Sequence, residues 1–127
     1  MVYGIGTDLI EVDRIRAIIE KERGFREKVF TPDEIKYCES RPNSKAEHYA
    51  VRYAAKEAFF KALGTGLRAG MSFLDLEIMN DALGKPELII RGDTQKKLEK
   101  WGNVNILLTL SHVKQMATAF VVIQKAS

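Results

Sequence analysis

The chain has 127 residues, 46% of them hydrophobic, and this length predicts one domain over residues 1–127. Its single cysteine, Cys38, excludes a disulfide framework and a multi-cysteine zinc site. The formal net charge of +3 is compatible with an anionic ligand or an acidic protein partner, and gives no reason to expect nucleic acid. No secretory leader and no run near the ~20 apolar residues of a membrane span are present, so we expect a cytoplasmic protein without membrane contact.

The first half of the chain is predicted to contain one strand and three helices. Residues 2–9 form a short apolar strand, and residues 13–22 form a helix with apolar positions at helical spacing. A further helix over residues 31–40 opens with Thr-Pro-Asp-Glu, in which the threonine caps, the proline suits the first turn and the glutamate completes a capping box. The longest helix is predicted over residues 44–63 and ends at Gly64.

The second half is predicted to contain four strands and one helix. The helix is capped by Asp93 or Thr94 and runs to Trp101, and the strands cover residues 73–78, 87–90, 104–110 and 116–124. The order is one strand, helices, two strands, a helix and a final hairpin. It predicts an α+β fold in which a largely antiparallel sheet packs on the long buried helix.

The long helix is predicted to be buried on both faces. Val51, Ala55 and Phe59 fall on one side, and the side that carries Glu57 is also mostly small or aromatic. We therefore expect Glu57 and Lys61 to be enclosed and to have partners, because an enclosed charge without a partner is costly. An ordinary glutamate–lysine pair one helical turn apart is the simpler interpretation, and it stays open.

A candidate site is suggested by Asp8, Glu57, Lys61 and the turn Gly64-Thr65-Gly66. Two carboxylates, a lysine and a glycine turn are the groups needed to hold a divalent metal ion against a phosphate ester. The ordinary alternatives are that Asp8 caps a helix and that the glycine turn only ends one.

Two further features have both a functional and an ordinary interpretation. Ser111 and His112 lie where a strand is predicted to end, a frequent place for site residues, whereas His48 is assigned an ordinary packing role. The basic residues of the first helix, Arg14, Arg16 and Lys21, form either a solvated face or a docking surface for an acidic partner.

Three segments together resemble a known family. Residues 4–10 (GIGTDLI), 52–66 (RYAAKEAFFKALGTG) and 108–112 (LTLSH) are similar to holo-acyl-carrier-protein synthases, the small bacterial type of phosphopantetheinyl transferase. The resemblance implies the fold of that family and transfer of 4′-phosphopantetheine from coenzyme A to a serine of apo acyl carrier protein, with release of 3′,5′-ADP. It also implies magnesium, a role in fatty acid biosynthesis and a homotrimer with sites between subunits.

The resemblance also assigns roles to individual residues. Asp8 and Glu57 match the metal ligands, and Lys61 matches the lysine that contacts the diphosphate. Either Glu57 or a metal-bound water that it orients accepts the serine proton. The segments that match the coenzyme A site also include Gly64, Thr65, Gly66, Gly84, Lys85, Pro86, Ser111 and His112. The surface for the carrier protein comprises Arg14, Ile18 and Lys21.

Two competing interpretations belong to other classes. A non-enzymatic basic module for nucleotide or RNA accounts for the charge and the glycines, but gives no reason for Glu57 in an apolar helix. A structural trimer would use the glutamate–lysine pair only for packing.

Overall fold

The structure, a computed structural model, describes residues 1–65 and 70–127. Its helices are α1 (Val12–Lys21), α2 (Phe25–Val29), α3 (Pro32–Glu39), α4 (Lys45–Leu63) and α5 (Gly92–Leu98). Its strands are β1 (Val2–Glu11), β2 (Leu76–Asn80), β3 (Pro86–Ile90), β4 (Val104–His112) and β5 (Met116–Lys125). Two 3-10 turns, Phe73–Asp75 and Glu99–Trp101, precede β2 and follow α5.

The strands form two antiparallel sheets. The larger has the order β1-β5-β4, and the smaller pairs β2 with β3. Within the larger sheet, Asp8 lies opposite Ala119, which in turn lies opposite Leu110. The predicted α+β class with antiparallel pairing is confirmed, and the fold is further supported by the structural relatives described below.

Helix α4 packs along the inner face of the larger sheet and is buried on both sides, as predicted. Two inner positions of β5, Ala117 and Ala119, are small, as are Ala54 and Ala58 of the helix, and all four are buried. Small residues on both surfaces let the helix approach the strands closely. The helix ends at Gly64, which takes φ 85°, a left-handed conformation that favours glycine.

The capping box predicted at the start of α3 is present. The Glu34 backbone N–H donates to the Thr31 hydroxyl, and the Thr31 backbone N–H donates to the Glu34 carboxylate at 2.9 Å. Glu34 is fully buried and also serves a second purpose, described below.

Three element predictions were wrong in detail. The strand predicted over 73–78 begins only at Leu76, because Ser72 and Asp75 cap the preceding 3-10 turn reciprocally. Helix α5 begins at Gly92 rather than being capped by Asp93 or Thr94, and the Thr94 hydroxyl instead donates to Asp75 at 2.7 Å. Helix α2 was not predicted, since five residues are too few to show helical periodicity.

The outer face of the larger sheet carries several exposed apolar residues between threonines and a serine. Ile5, Leu9, Leu107 and Phe120 are between 44% and 65% exposed. Ile5 and Leu107 lie in one row across the sheet, on either side of Val122. Contiguous exposed apolar residues on a sheet of this size are typical of a protein–protein contact. Among the described helices, none has the length and apolarity needed to cross a bilayer.

Candidate functional site

The site is organised by a close contact between β1 and α4. A Cβ atom on Gly6 would lie 2.7 Å from the Ala62 backbone nitrogen and 3.0 Å from the Ala58 carbonyl carbon, and nearer still to that carbonyl oxygen. Gly4 is similarly pressed against the Ala62 backbone. Because residues alternate along a strand, Asp8 shares the helix-facing side with these glycines. The pattern Gly-x-Gly-x-Asp therefore places the Asp8 carboxylate against helix α4.

Asp8 and Lys61 form an ion pair across this contact. Lys61 Nζ lies 3.1 Å from Asp8 Oδ1 and also donates to the Thr7 carbonyl oxygen at 3.1 Å. The Asp8 side chain is 16% exposed and that of Lys61 is 56% exposed. The Lys61 ammonium group is thus held at the strand, while the aliphatic part of its side chain remains in solvent.

Glu57 lies one helical turn before Lys61 and faces Tyr53. Burial, followed by the charge of Glu57, its hydrogen bond to the phenol and the charge of Asp8, raises the pKa of the Tyr53 phenol to about 12. Arg14 of α1 acts on the same pKa in the opposite direction. Asp8 therefore pairs directly with Lys61, and Glu57, one turn earlier on the same helix, hydrogen-bonds Tyr53. The metal-binding and catalytic roles of these residues stay predictions.

The expectation that Glu57 and Lys61 are enclosed was wrong. Glu57 is only partly buried and Lys61 is exposed. The enclosed charges of α4 are Arg52, at 3% exposed, and Lys56, at 0%. The apolar pattern of the helix predicted that charges would be buried, but it assigned them to the wrong residues.

Lys56 is paired inside the core. Its Nζ donates to Glu34 Oε1 at 2.7 Å, to the Val29 carbonyl oxygen at 2.6 Å and to the Phe73 carbonyl oxygen at 3.1 Å. All three ammonium hydrogens therefore have acceptors. The other oxygen of Glu34 accepts the Ile78 backbone N–H at 2.9 Å. This pair ties α4 to the elements around it and lies outside the predicted site.

The other predicted residues lie at two further places. Gly64 and Thr65 follow Lys61 at the exposed end of α4, and Gly66 lies outside the described residues. Gly84, Pro86 and His112 meet in a cleft of about 200 Å³. Lys85 borders a neighbouring cleft, and Ser111 points to the outer sheet face because it alternates with His112. The 200 Å³ cleft is also lined by Tyr37, His48, Val51, Arg52, Asn80 and Leu110.

The hairpin between β2 and β3 fixes one wall of this cleft. Asp81 Oδ1 accepts the backbone N–H groups of Leu83 and Lys85, each at 2.9 Å. This turn orders the backbone at Gly84, which takes φ 87°, and presents Pro86 to the cleft. A larger cleft of about 740 Å³ between β3 and β4 contains none of the predicted site residues.

Arg52 gives the cleft a buried positive charge that was not predicted. Its guanidinium carbon lies 4.2 Å from the centre of the Tyr37 ring, and one terminal nitrogen is 3.4 Å from the His48 carbonyl oxygen. The Arg52 Nε atom has no hydrogen-bond partner among the described residues. A buried donor without a partner is costly, so Arg52 is held in this position against a free-energy cost. An arginine inside an apolar helix was the sequence signal that could have revealed it.

His48 and His112 also line the cleft, with ring centres 5.3 Å apart. Burial, and then the positive charge of Arg52, lower the pKa of His48 to about 4. His48 is thus neutral near pH 7. The sequence assigned His48 only a packing role and did not indicate that it lines this cleft.

The predicted partner surface lies on α1. Arg14 and Lys21 are exposed, while Ile18 is partly buried beside them. Val12 and Ile15 are buried and hold the helix on the core. Arg16 forms an ion pair with Asp13, so its charge is partly balanced.

Metal ligands in the site are limited to carboxylates. The described residues contain no group of three or more His, Cys, Asp or Glu side chains placed to hold a metal ion. Two carboxylates suit Mg²⁺, which keeps several waters and is bound through few protein oxygens together with substrate phosphates. Asp8 and Glu57 fit that ion better than zinc or calcium.

Comparisons with known proteins agree on one family. The model of the 4′-phosphopantetheinyl transferase superfamily matches residues 4–119. A holo-[acyl-carrier-protein] synthase of Geotalea daltonii is 45% identical over 126 residues, covering 98% of this chain and 100% of the relative. One from Ruminiclostridium cellulolyticum is 48% identical over 120 residues, covering 94% of this chain and 90% of the relative.

Solved structures give the same result. The Neisseria meningitidis holo-[acyl-carrier-protein] synthase superposes with a TM-score of 0.87 at 39% identity, covering 98% of this chain and 100% of that one. The Bacillus anthracis enzyme, in complex with CoA (3′,5′-ADP), has a TM-score of 0.82 at 37% identity, covering 99% of each chain.

Proposed function

The chain belongs to the 4′-phosphopantetheinyl transferase superfamily, and from that premise we propose that it is a holo-[acyl-carrier-protein] synthase. It transfers 4′-phosphopantetheine from coenzyme A to a serine hydroxyl of apo acyl carrier protein and releases 3′,5′-ADP. The observation that carries the proposal is the meeting of Asp8, Glu57 and Lys61 where β1 contacts α4. The role is in fatty acid biosynthesis, in the cytoplasm.

Asp8 and Glu57 are the residues that would hold Mg²⁺. The bound ion supplies positive charge to the diphosphate of coenzyme A and to the departing 3′,5′-ADP. Lys61 neutralises Asp8 in the free protein at 3.1 Å, and its exposed stem lets the ammonium turn to a phosphate oxygen when coenzyme A binds. The Glu57 carboxylate accepts the proton of the attacking serine, directly or through one water.

We further propose that coenzyme A is bound between subunits of a homotrimer. The cleft that contains Gly84, Pro86 and His112 is not lined by Asp8, Glu57 or Lys61 among the described residues. A ligand that needs both groups is accommodated if one subunit supplies the cleft and its neighbour supplies the carboxylates. The apolar outer face of the larger sheet supports such an assembly, because association would cover it.

In this proposal, the remaining predicted residues bind coenzyme A and the carrier protein. Lys61 contacts the diphosphate, and the positive charge of Arg52 gives the cleft an attraction for an anionic group. The set that binds coenzyme A also includes Gly64, Thr65, Gly66, Lys85 and Ser111. Arg14, Ile18 and Lys21 of α1 receive the carrier protein, whose acidic surface the exposed cations attract.

The test is to incubate the protein with coenzyme A, Mg²⁺ and an apo acyl carrier protein and to weigh the carrier. We expect a gain of one phosphopantetheine per carrier. Binding of coenzyme A without a gain in mass would instead identify a nucleotide-binding module and end the transferase proposal.

Variants then test the roles of individual residues. Glu57→Gln should abolish turnover at saturating Mg²⁺, because it removes both a metal ligand and a base while keeping the side-chain shape. Glu99→Gln, an exposed glutamate in the 3-10 turn after α5, is the matched control and should retain activity. Near-normal activity of Glu57→Gln would contradict the role of Glu57.

A further inference from the structure

Glu47 holds the ring of His112 in the cleft. The His112 Nδ1 atom lies 2.9 Å from Glu47 Oε1, a hydrogen bond between β4 and the first turn of α4. The Glu47 side chain is 18% exposed and that of His112 is 31% exposed, so each is partly covered. Within the described part of the chain, His112 is the only residue with which Glu47 forms an ion pair.

This bond determines what His112 can offer to a ligand. With Nδ1 bound to a carboxylate, Nδ1 carries a proton, and Nε2 is the nitrogen left for a molecule in the cleft. When the imidazole carries both protons, Nε2 donates to an anion while Glu47 balances the ring charge. Carboxylate–histidine pairs act in this way at metal sites, where the outer partner fixes both tautomer and ring orientation.

The rest of the cleft has the chemistry of an anion site. Its nine lining residues include Arg52 and no aspartate or glutamate. Glu47 itself is not among them, so its charge acts on the back of the histidine ring. The neutral ring of His48 packs against His112 and limits its rotation.

We propose that Glu47 is a positioning residue for coenzyme A binding, which acts by holding His112 so that Nε2 meets an anionic group in the cleft. The inference rests on the proposed function, and it concerns binding of the nucleotide rather than the chemical step. Loss of the Glu47 bond should therefore raise the KM for coenzyme A and leave kcat nearly unchanged.

The ordinary alternative is that Glu47 only complements the dipole of α4. It is an acidic residue in the first turn of that helix, where a negative charge is favourable. That role depends on charge alone, so Glu47→Gln and Glu47→Ala would behave alike. The positioning role depends on an acceptor oxygen, which Glu47→Gln keeps and Glu47→Ala lacks.

The experiment is a double-mutant cycle on the full-length protein with Glu47→Ala, Glu47→Gln, His112→Ala and the double variant Glu47→Ala/His112→Ala. We expect Glu47→Ala to raise the KM for coenzyme A about 10-fold with kcat within about twofold of wild type. Glu47→Gln should recover most of the loss. The double variant should match His112→Ala, because Glu47 acts only through the histidine.

Three results would overturn the inference. They are an unchanged KM in Glu47→Ala, equal effects of the Ala and Gln variants, and additive effects in the double variant. Calorimetric titration with 3′,5′-ADP gives the same comparison without turnover. If wild type binds 3′,5′-ADP but transfers nothing, the proposed function fails while the role of Glu47 in binding is still measured.

Discussion

Replacing Gly6 by alanine tests whether the contact between β1 and α4 positions the site. The added Cβ would lie 2.7 Å from the Ala62 backbone nitrogen and 3.0 Å from the Ala58 carbonyl carbon. Ordinary contacts of this kind need about 3.5 Å or more. Both neighbours are helix backbone, so no rotamer change relieves the overlap. The strand must move away from the helix by roughly 1 Å.

We expect two separate consequences. Forcing extra volume into a close-packed contact should cost about 3 kcal/mol of unfolding free energy, measured by urea denaturation. The displacement also carries Asp8, two residues further along β1, away from Glu57 and Lys61. A shift of this size should lower kcat for phosphopantetheine transfer by about 100-fold, assayed on protein that circular dichroism shows to be folded.

Gly102→Ala is the matched control. A Cβ there would meet nothing within 4 Å, although φ is 75°. The control should lose about 1–3 kcal/mol of stability, because φ 75° with ψ −147° is a conformation nearly restricted to glycine, and it should keep its kcat. If Gly6→Ala is as stable and as active as wild type, the strand is not held by this contact and the argument from the glycine is refuted.

Three further predictions follow from the structure. Lys56→Met should lose about 3–5 kcal/mol of unfolding free energy, measured by urea denaturation, because Glu34 is left buried and unpaired. Lys61→Met, in the same helix but exposed, is the control and should lose at most about 1 kcal/mol. Equal losses in the two variants would contradict the assignment of Lys56 as the buried charge. The pKa of His48 is about 4 in the folded protein and about 6.5 for a histidine in the unfolded chain, so the unfolded chain takes up the extra proton. Stability therefore falls as the pH drops from about 6.5 to about 4, by up to about 3 kcal/mol. His48→Gln should flatten this part of the pH–stability curve, and an unchanged slope would show that other groups cause it. Phe120→Asp on the outer sheet face should convert the proposed trimer to monomer in sedimentation, and an intact trimer would exclude that face as the contact.

Much of the fold was predictable because local signals agree with the tertiary structure. The capping box at Thr31 and the glycine at position 64 fix the ends of α3 and α4 through backbone geometry, and both are where the sequence placed them. The turn before β2 was missed because alternation of apolar residues over 73–78 imitates a strand. What decides the conformation there is a reciprocal cap between Ser72 and Asp75.

The sequence predicted the site residues that belong to local motifs, but it did not predict contacts between residues of distant elements. The motifs predicted that Asp8 and Lys61 lie together, and the ion pair shows that they do, although the predicted enclosure of Glu57 and Lys61 was wrong. Helical periodicity shows which faces are apolar, but not which lysine has a buried carboxylate opposite it. The pairing of Glu47 with His112 joins residues 65 positions apart, and no local pattern indicates it.

The Glu34 carboxylate has a consequence for how the molecule opens. It accepts the backbone N–H of Thr31 at the head of α3 and that of Ile78 in β2, and it also binds the Lys56 ammonium in α4. Separating α3 from α4 would leave the charges of Glu34 and Lys56 unpaired, and separating β2 would leave one oxygen of Glu34 without its donor. Amide hydrogen exchange at Thr31 and Ile78 should therefore report one shared opening event, with the same free energy and the same response to denaturant.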